Sequence, residues 1–491
     1  MIDKYELVDH AEIKQRSYGI VGGLGAIAGA DILLKMVRLS QGSSSTGTTN
    51  ITFEQRNYEE TSSSGVGSYD PTRRKFYVYN VLKDLEARNI NIALVPCFLS
   101  HTFLSEIAPE LGLRIVNIFE AIRTHIDKKY SDVRRIGVLT SSYVRDSGIF
   151  ERELGSSIEI LYPRSVAQEK YMTAIYGPLG VRVGNHNGEC LDLLFEACAD
   201  LIEQGAQVIV PGATEVPVLS DALRPLLPVS IIDTNQVYAE YALNVDAVLP
   251  TTEYKLGVLG GVGPAATVDF MRKVVRLTQA RKDQDHIKMV VEQNPKIPDR
   301  TANLVADGDD PTIPLLATCI RLQQDGAMAI AIPCNTAHAF VKKIQPHLSI
   351  PIINMLSEVV EYLHANNPSV SRIGLLATSG TVKSGVYHES FESSGMEVLV
   401  PDELHQDMVM DAIYGEQGVK AGFTNGLCTD YLMATIKYLT DQGAQAIILG
   451  CTELPLIELD ISGVSVMLVD PTEILAAKCV WLAQKDILNN Q

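Results

Sequence analysis

The features that mark fibrous, secreted, membrane and nucleic-acid-binding proteins are scarce in this 491-residue chain. Its 41 basic residues are outnumbered by 59 acidic ones, for a formal charge of −18. Such a chain is not expected to offer the clustered positive surface that binds a phosphate backbone or an anionic membrane. No apolar run reaches the roughly 20 residues that span a bilayer, and the N-terminal stretch MIDKYELVDHAEIKQRS lacks the apolar core of a signal peptide. We therefore predict a cytoplasmic protein that has neither a nucleic acid nor a membrane as its partner.

Cysteine is also sparse, with eight residues and no CxxC pair, which argues against a disulfide framework and against structural zinc. The sequence contains no Walker motif and no spaced cluster of His, Asp and Glu, so neither a metal nor a cofactor is expected. Apolar residues make up 46% of the chain, enough for sizeable cores. At roughly 100–200 residues per domain, the length predicts about three domains, within a range of two to four.

The chain repeats itself at an offset of 237 to 238 residues. The GIVGGLG stretch at 19–25 returns as GVLGGVG at 257–263, and GATEVP at 212–217 returns as GCTELP at 450–455. The other collinear matches pair residues 96–101 with 333–338, 136–139 with 373–376, and 175–177 with 413–415. Five such matches indicate a tandem duplication, and they divide the chain into units at 1–252 and 253–491.

Each unit also repeats internally. The apolar run at 255–259 is followed by a similar run 117 residues later, at 372–376, and the same spacing separates Cys334 from Cys451. In the second unit we expect strands at 257–259, 289–291, 328–332, 352–353, 373–375 and 446–449, and helices at 265–277, 311–325 and 430–442. Unbroken apolar strands that alternate with helices are typical of an α/β fold with parallel sheets covered on both faces. The predicted lobes are 16–120 and 121–232 in the first unit and 253–358 and 359–470 in the second, with a C-terminal helix at 471–491.

Cys334 and Cys451 each follow the carboxyl end of a predicted strand, where parallel sheets bind their ligands. Two thiols that face each other across a cleft suit the inversion of a carbon beside a carboxylate. One thiolate removes the proton from one face, and the other thiol donates a proton to the opposite face. A single cysteine at a strand end is more often a small packing residue, but the matched pair favours catalysis. The cysteines in helix-like stretches are interpreted as packing residues: Cys190, Cys198, Cys319, Cys428 and Cys479.

Polar residues follow the two cysteines and the strand at 373–375, at points where helices are expected to begin. Their side chains and the free N–H groups of a first helical turn can hold a carboxylate, or can simply cap the helix. These candidate substrate ligands are Asn335, Thr336, Thr378, Ser379 and Thr452. His338, one helical turn after Cys334, either tunes a thiolate or packs. Glu453 either orients the second thiol or is a solvated carboxylate.

A dicarboxylic substrate needs a cation remote from the reacting carbon. Arg300 lies in a proline-bounded loop and can hold a carboxylate through two parallel hydrogen bonds, and Lys420 is the second candidate. The GVGPAA stretch at 261–266 follows a strand and opens a helix, as in dinucleotide-binding proteins. However, a lone G-x-G-x-x-A is a weak signal, and Glu292 lies beyond the usual spacing of about 20 residues. We interpret Gly261 and its neighbours as the backbone floor of the cleft, with nicotinamide binding as the minor alternative.

Together these motifs resemble the aspartate/glutamate racemase family, and its aspartate racemase branch in particular. The resemblance spans residues 253–491 and is carried by GVLGGVGPAAT at 257–267, IPDR at 297–300, PCNTAH at 333–338, LATSGT at 376–381, GVKAG at 418–422 and GCTE at 450–453. It implies an isomerase that needs no pyridoxal phosphate or other cofactor, with two Rossmann-like lobes and one catalytic cysteine in each lobe. It also implies that Arg300 and Lys420 bind an amino dicarboxylate, which is aspartate, glutamate or both. Glu453 follows the aspartate branch, whereas glutamate racemases usually carry His there.

The first unit departs from this pattern at the positions that carry chemistry. Cys97 remains, but FLS at 98–100 replaces NTA at 335–337, and Ala213 stands where the second unit has Cys451. One thiol above an apolar floor cannot perform a two-base reaction. We therefore expect the N-terminal unit to be catalytically inactive.

The first unit also lacks one of the two candidate substrate-binding cations. The position that corresponds to Arg300 falls on Ser62, and Arg182 is the one cation retained, opposite Lys420. No anion clamp is therefore expected there. Single-unit members of the family commonly form homodimers, so the two units are predicted to form a pseudo-dimer within one chain, and further oligomerisation is compatible with this.

Two alternatives to racemisation remain open. One is a diacid isomerase or decarboxylase of the same superfamily. The other is a non-catalytic regulatory protein that binds an amino acid, which fits the altered first unit better than the second. Within the racemase interpretation, the first unit is either a scaffold or a regulatory site that retains Arg182.

Overall fold

The computed structural model describes residues 16–42, 50–58, 70–155, 157–245, 253–392, 394–460 and 466–489. The chain forms two compact units, one within Ala11–Thr252 and the other within Glu253–Gln491. In the part of the chain that is described, no helix has both the length and the apolar character needed to cross a membrane.

The N-terminal unit contains two four-stranded sheets. The first has the order β2-β1-β3-β4 and the second β6-β5-β7-β8, and every pairing is parallel. The strands are β1 (Ser17–Val21), β2 (Asn50–Glu54), β3 (Ile92–Leu94), β4 (Arg114–Ile115), β5 (Arg135–Leu139), β6 (Glu159–Leu161), β7 (Val208–Pro211) and β8 (Ser230–Ile231). The helices are α1 (Ala26–Gly42), α2 (Thr72–Ala87), α3 (Phe98–His101), α4 (Leu104–Ile107), α5 (Ile118–Lys129), α6 (Ser142–Asp146), α7 (Ile149–Leu154), α8 (Ser165–Tyr176), α9 (Glu189–Glu203), α10 (Ser220–Leu223) and α11 (Thr234–Asn244).

The C-terminal unit has the same plan, with sheets of order β10-β9-β11-β12 and β14-β13-β15-β16, again wholly parallel. Its strands are β9 (Lys255–Gly260), β10 (Lys288–Gln293), β11 (Ala329–Ala331), β12 (Ile352–Ile353), β13 (Arg372–Leu376), β14 (Glu397–Leu399), β15 (Ala446–Leu449) and β16 (Met467–Val469). Its helices are α12 (Pro264–Leu277), α13 (Arg300–Val305), α14 (Thr312–Gln324), α15 (His338–Ile344), α16 (Met355–Asn366), α17 (Ser379–Ser384), α18 (Val386–Phe391), α19 (Glu403–Tyr414), α20 (Leu427–Asp441) and α21 (Pro471–Asn489). Single 3₁₀ turns complete the unit at Asp283–Asp285, Gln345–His347, Val419–Ala421 and Leu454–Leu456.

The predicted α/β architecture, with two tandem units of parallel sheets flanked by helices, is confirmed. The predicted strands of the second unit are present, with ends that shift by at most two residues. Two edge strands, β14 and β16, were not predicted from the sequence. Both are three residues long and only partly buried, so they lack the continuous apolar run that identifies a central strand.

Strand order determines where a ligand can bind. In the C-terminal unit, the two central strands are β9 and β11 in one sheet and β13 and β15 in the other. After the first strand of each pair the chain continues to one edge of the sheet, and after the second it continues to the opposite edge. Such a reversal opens a crevice outside the carboxyl ends of the two strands. The two sheets are also in equivalent register: Leu256 pairs with Ala329 in one, and Ile373 pairs with Ala446 in the other, an offset of 117 residues for both partners.

An ion-pair triad joins the last helix of the C-terminal unit to its first helix. Lys273 of α12 contacts Asp269 at 2.5 Å and Asp470, just before α21, at 2.6 Å. The Lys273 side chain is only 10% exposed, and the contacts with these carboxylates compensate the loss of its hydration. The N-terminal unit has the corresponding triad, formed by Lys35, Asp31 and Asp233.

Candidate active site

A cavity of about 280 Å³ lies where the two lobes of the C-terminal unit meet, outside the carboxyl ends of their central strands. Residues from both lobes line it: Val262, Arg300, Thr301, Cys334, Asn335, Thr336, Thr378, Tyr414, Lys420, Cys451, Thr452 and Glu453. Nine of the twelve catalytic, substrate-binding and supporting residues that the sequence suggested therefore line this one cavity. The two cysteines come from different sheets, Cys334 after β11 and Cys451 after β15.

Arg300 provides the positive charge next to Cys334. Its Nη1 donates to the carbonyls of Ile297 at 3.3 Å and Pro298 at 3.0 Å, and its Nη2 donates to the Val262 carbonyl at 3.0 Å. These bonds fix the guanidinium in the cavity wall. Burial would lower the pKa of Arg300, but its interactions with Cys334 and Asp299 raise it. Its buried Nε has no partner among the described residues. The two-pronged clamp expected from the sequence is therefore occupied by backbone carbonyls, and Nε remains for a ligand.

Cys451 has a different electrostatic neighbour. Its Sγ donates to Oε2 of Glu453 at 3.1 Å, and Lys420 Nζ contacts Oε1 of the same carboxylate at 2.5 Å. Burial and the Glu453 carboxylate raise the pKa of Cys451 well above its usual value, while Lys420 acts in the opposite direction. Glu453 is 4% exposed, so it is a buried partner of the thiol rather than a solvated carboxylate.

Burial by itself would lower the pKa of Lys420, but the attraction of Glu453 and of Cys451 outweighs it, and the pKa of Lys420 is raised. Lys420 therefore stays charged at neutral pH. Its ammonium also lies 5.4 Å from the centre of the Tyr414 ring, which restricts the position of the flexible lysine side chain.

Asn335 presents an amide to the cavity. Its Oδ1 accepts a hydrogen bond from Tyr387 Oη at 2.6 Å. Its buried Nδ2 has no partner among the described residues, so it is available as a donor to a bound carboxylate.

The prediction that a helix begins directly after Cys334 is wrong. Residues 335–337 form a turn, and α15 begins at His338.

Four threonine hydroxyls connect the two lobes at the cavity wall. Thr301 and Thr336 of the first lobe each contact Thr378 Oγ1, at 3.1 Å and 3.2 Å, and Thr336 also contacts Thr381 at 2.7 Å. Thr378 additionally caps α17 by accepting from the N–H of Thr381. Capping and lining the cavity are therefore compatible roles for this residue. A Cβ at Gly380 would lie 2.7 Å from Thr301 Cα, so this close approach of α13 and α17 needs glycine.

His338 lies behind the cavity wall. Its Nδ1 donates to the Cys334 carbonyl at 2.9 Å, and its Nε2 accepts from the Met355 N–H at 3.1 Å. Because it is fully buried, the pKa of His338 is lowered, although the hydrogen bond to Cys334 favours its charged form. The neutral ring donates through one nitrogen and accepts through the other. These two hydrogen bonds hold the turn that carries Cys334 in place.

Gly261 and Ser379 also lie outside the cavity lining. Gly261 has φ +86°, and a Cβ there would lie 2.4 Å from the backbone of Asn294, so it shapes the loop from which Val262 reaches the cavity. Ser379 is the first residue of α17, and its Oγ accepts from Gln406 Nε2 at 3.3 Å.

Sequence reasoning missed two polar residues of the cavity, Thr301 and Tyr414. Thr301 directly follows Arg300, and Tyr414 belongs to an IYG motif that both units share. That repeated motif was a usable signal for Tyr414. Burial raises the pKa of Tyr414 to about 12, against the opposing hydrogen bond with Thr301, so the phenol stays protonated and can donate.

The N-terminal unit has a cavity of about 420 Å³ at the corresponding position. Cys97 and Ala213 line it as expected, with Phe98 and Leu99 in place of the amide and hydroxyl of the second unit. Ser62, which corresponds to Arg300, lies outside the described residues.

One finding in this cavity differs from expectation. Arg74 of α2 lines it, is 3% exposed, and donates from Nη1 to Cys97 Sγ at 3.0 Å. Arg182 is also present and pairs with Glu215 at 3.4 Å. Arg74 was not predicted to line this cavity, because the corresponding helix of the second unit, α14, carries no residue of the C-terminal cavity.

Among the described residues, no group of three His, Cys, Asp or Glu side chains is arranged to hold a metal ion. The polar groups of the C-terminal cavity are amide, hydroxyl, ammonium and guanidinium donors with one carboxylate and two thiols. Such a set can bind an anion and move a proton.

Comparisons with known proteins identify relatives of both units. A model of the Asp/Glu/hydantoin racemase family matches residues 21–242 and again residues 259–479. The broad specificity amino-acid racemase RacX of Bacillus subtilis (strain 168) is 27% identical over 231 residues, which are 46% of this chain and 96% of that protein. An uncharacterized protein in the pnlA 3' region of Pectobacterium carotovorum subsp. carotovorum is 36% identical over 144 residues, 29% of this chain and 89% of that protein. Among solved structures, the Picrophilus torridus aspartate racemase is 28% identical, covers 48% of this chain and 100% of its own, and gives a TM-score of 0.42.

Proposed function

Since the chain belongs to the Asp/Glu/hydantoin racemase family, we propose that its C-terminal unit interconverts the L and D forms of aspartate, glutamate or both. The observation that carries this proposal is one cavity lined by two thiols from different sheets, Cys334 and Cys451. Two bases on separate supports can address opposite faces of the same α-carbon.

The surroundings of the two sulfurs suggest how the reaction starts. Arg300 places positive charge beside Cys334, whereas Cys451 carries a proton that it shares with Glu453. We assign Cys334 as the base and Cys451 as the acid for one enantiomer. The Cys334 thiolate takes the α-proton, and the Cys451 thiol donates its proton to the opposite face of the carbanion. The product has inverted configuration, the two sulfurs have exchanged protonation states, and the reverse reaction starts from the exchanged state.

The two cations of the cavity support a substrate with more than one carboxylate. Arg300 and Lys420 line it beside the Glu453 carboxylate, and aspartate and glutamate each carry two carboxylates. The Asn335 amide and the threonine hydroxyls supply neutral donors around the two cations. In a cavity of low dielectric, such fixed donors stabilise the negative charge that develops on the substrate as the α-proton leaves.

Proton exchange in deuterated water tests the proposal. The full-length protein is incubated with L-aspartate, D-aspartate, L-glutamate or D-glutamate without any added cofactor, and the α-proton signal and the enantiomeric ratio are followed by NMR and chiral chromatography. We expect loss of the α-proton signal together with formation of the other enantiomer for at least one of the two amino acids. A protein with both Cys334→Ser and Cys451→Ser is the control. No exchange with any of the four substrates would reject the proposal, and conversion of maleate or a malonate instead would support the diacid isomerase or decarboxylase alternative.

A further inference from the structure

A buried tyrosine in the second lobe of the C-terminal unit holds an amide of the first lobe. Tyr387 belongs to α18, is fully buried and lies outside the cavity lining. Its hydroxyl donates to Oδ1 of Asn335, in the turn after Cys334, at 2.6 Å. Burial raises the pKa of Tyr387 well above its usual value, and Asp470 acts in the same direction. The hydroxyl therefore keeps its proton at neutral pH and acts as a donor.

The orientation of the Asn335 amide decides what it can bind. An asparagine amide has two ends of similar shape, of which the carbonyl accepts hydrogen bonds and the NH2 group donates them. Only the NH2 group suits a carboxylate, which accepts at both oxygens. Because the Tyr387 hydroxyl needs an acceptor, it selects the orientation with Oδ1 toward α18. Nδ2, which has no partner within the described ranges, is then left for the cavity that Asn335 lines.

The N-terminal unit lacks both members of this pair. At the offset of 237 residues, Asn335 corresponds to Phe98 and Tyr387 to Phe150. The two phenylalanine rings are buried and stack with their centres 5.7 Å apart. The local backbone is equivalent, since the glycine before α7 and the glycine before α18 have φ values of +64° and +68°. The same two positions thus carry an amide with a hydroxyl in one unit and two apolar rings in the other.

This joint difference indicates the purpose of the hydroxyl. A hydroxyl on the Phe150 ring would find no amide at Phe98, and a buried hydroxyl without a partner is costly. The stacked rings also show that a phenylalanine can fill the equivalent position of the same fold. The Tyr387 hydroxyl is therefore not required for the packing of its helix, and its function lies in its contact with Asn335.

We propose that Tyr387 is a positioning residue for the substrate: its hydroxyl holds the Asn335 amide so that Nδ2 donates to a substrate carboxylate. This inference rests on the proposed function, because the ligand is the amino dicarboxylate that the C-terminal unit racemises. The carboxylate is present both before and during proton transfer, so its contact with the amide stabilises both states. Loss of the hydroxyl should therefore raise KM more than it lowers kcat.

Steady-state kinetics of the full-length protein test this role, with the amino acid that it racemises as the substrate. Tyr387→Phe removes only the hydroxyl and should raise KM about tenfold while kcat stays within about threefold. Tyr254→Phe is the matched control. Tyr254 is a buried tyrosine of the same unit, and its hydroxyl has no hydrogen-bond partner in the described part of the chain. The KM and kcat of this control should equal those of the unmodified protein.

A double-mutant cycle distinguishes positioning from packing. Asn335→Ala should lower kcat/KM more than Tyr387→Phe does. Adding Tyr387→Phe to Asn335→Ala should then have no further effect, because the amide through which the hydroxyl acts is gone. In an active protein, additive effects of the two changes, an unchanged KM in Tyr387→Phe, or a fall in kcat alone with a lower unfolding temperature would overturn this inference and leave the proposed function standing. Absence of racemisation by the unmodified protein would overturn the proposed function, and this inference with it.

Discussion

One ion-pair triad occupies the same place in both units, while the residues around the two cavities differ. Each triad joins a lysine of the first long helix to an aspartate four residues earlier and to an aspartate just before the last helix: Lys35, Asp31 and Asp233 in one unit, and Lys273, Asp269 and Asp470 in the other. Removing the lysine would leave two partly buried carboxylates without a counter-charge, and such a loss typically costs about 3–5 kcal/mol. The comparison therefore separates the residues that the fold requires from those that a reaction requires.

The difference between the cavities is more than a loss of residues. Ala213 removes a thiol and Phe98 removes an amide, yet Arg74 adds a guanidinium in contact with Cys97. The two units thus differ in the charged side chains that line their cavities, as well as in the second thiol.

The largest effect is expected from the two cysteines of the C-terminal unit. Cys334→Ser and Cys451→Ser should each lower racemisation by at least about 1,000-fold, because a serine hydroxyl is far too weak an acid to replace a thiol in proton transfer. The rates are measured in both directions by chiral chromatography. One-way α-proton exchange from a single enantiomer can persist in either variant, since one thiol remains.

Two controls sharpen this comparison. Cys97→Ser, in the N-terminal unit, and Cys428→Ser, a packing cysteine buried in α20, should both leave racemisation within about twofold of the unmodified protein. A large loss with Cys97→Ser would show that the N-terminal unit takes part in the reaction. Full racemisation by Cys334→Ser or Cys451→Ser would exclude the two-base assignment.

The next largest effect is expected from Arg300. Arg300→Leu should lower kcat/KM for aspartate or glutamate by about 100-fold, equivalent to ~2.7 kcal/mol, because it removes the charge beside Cys334 and the free Nε donor. Arg300→Lys should lower it by about tenfold, since a lysine keeps the charge but cannot reproduce the three bonds to backbone carbonyls. Lys296→Leu, an exposed cation of the same loop, serves as the control. Equal loss with Lys296→Leu would mean that net charge alone accounts for the effect.

Much of this site follows from the sequence, because the chemistry lies at strand ends and strands are recognisable as apolar runs. The tandem architecture and the racemase family are confirmed, and Cys334 and Cys451 do line a common cavity. What could not be predicted are contacts between residues far apart in the chain. The carbonyl that holds Arg300 through Nη2 belongs to Val262, 38 residues earlier, and Arg74 reaches its cavity from the first turn of α2.

A smaller effect, on pH dependence, follows from the raised pKa of Cys451. For the enantiomer from which Cys451 removes the proton, the thiol must first ionise, so kcat/KM should rise with pH and level off only on the alkaline side. Glu453→Gln removes a negative charge that raises this pKa, so the rising limb should move to lower pH. Lys420→Met removes a charge that lowers it, so the limb should move to higher pH, with weaker substrate binding as well. The measurement is kcat/KM against pH for each enantiomer.

The control for this pH shift is Glu458→Gln, because Glu458 is an exposed carboxylate five residues after Glu453. Its pH profile should coincide with that of the unmodified protein. Shifts of the same sign for Glu453→Gln and Lys420→Met would contradict the assignment of Cys451 as a base whose ionisation these two neighbours control.

The smallest effect is expected from restoring the missing thiol. Ala213→Cys, made in a protein that also carries Cys334→Ser and Cys451→Ser, gives the N-terminal cavity two thiols and leaves both of its arginines in place. We expect no racemisation of aspartate or glutamate, because Phe98 and Leu99 still occupy the positions from which Asn335 and Thr336 line the catalytic cavity. A carboxylate that faces these two apolar side chains is too costly to hold in a reactive position. Chiral chromatography after prolonged incubation gives the answer, and measurable turnover would show that the second thiol alone distinguishes the two units.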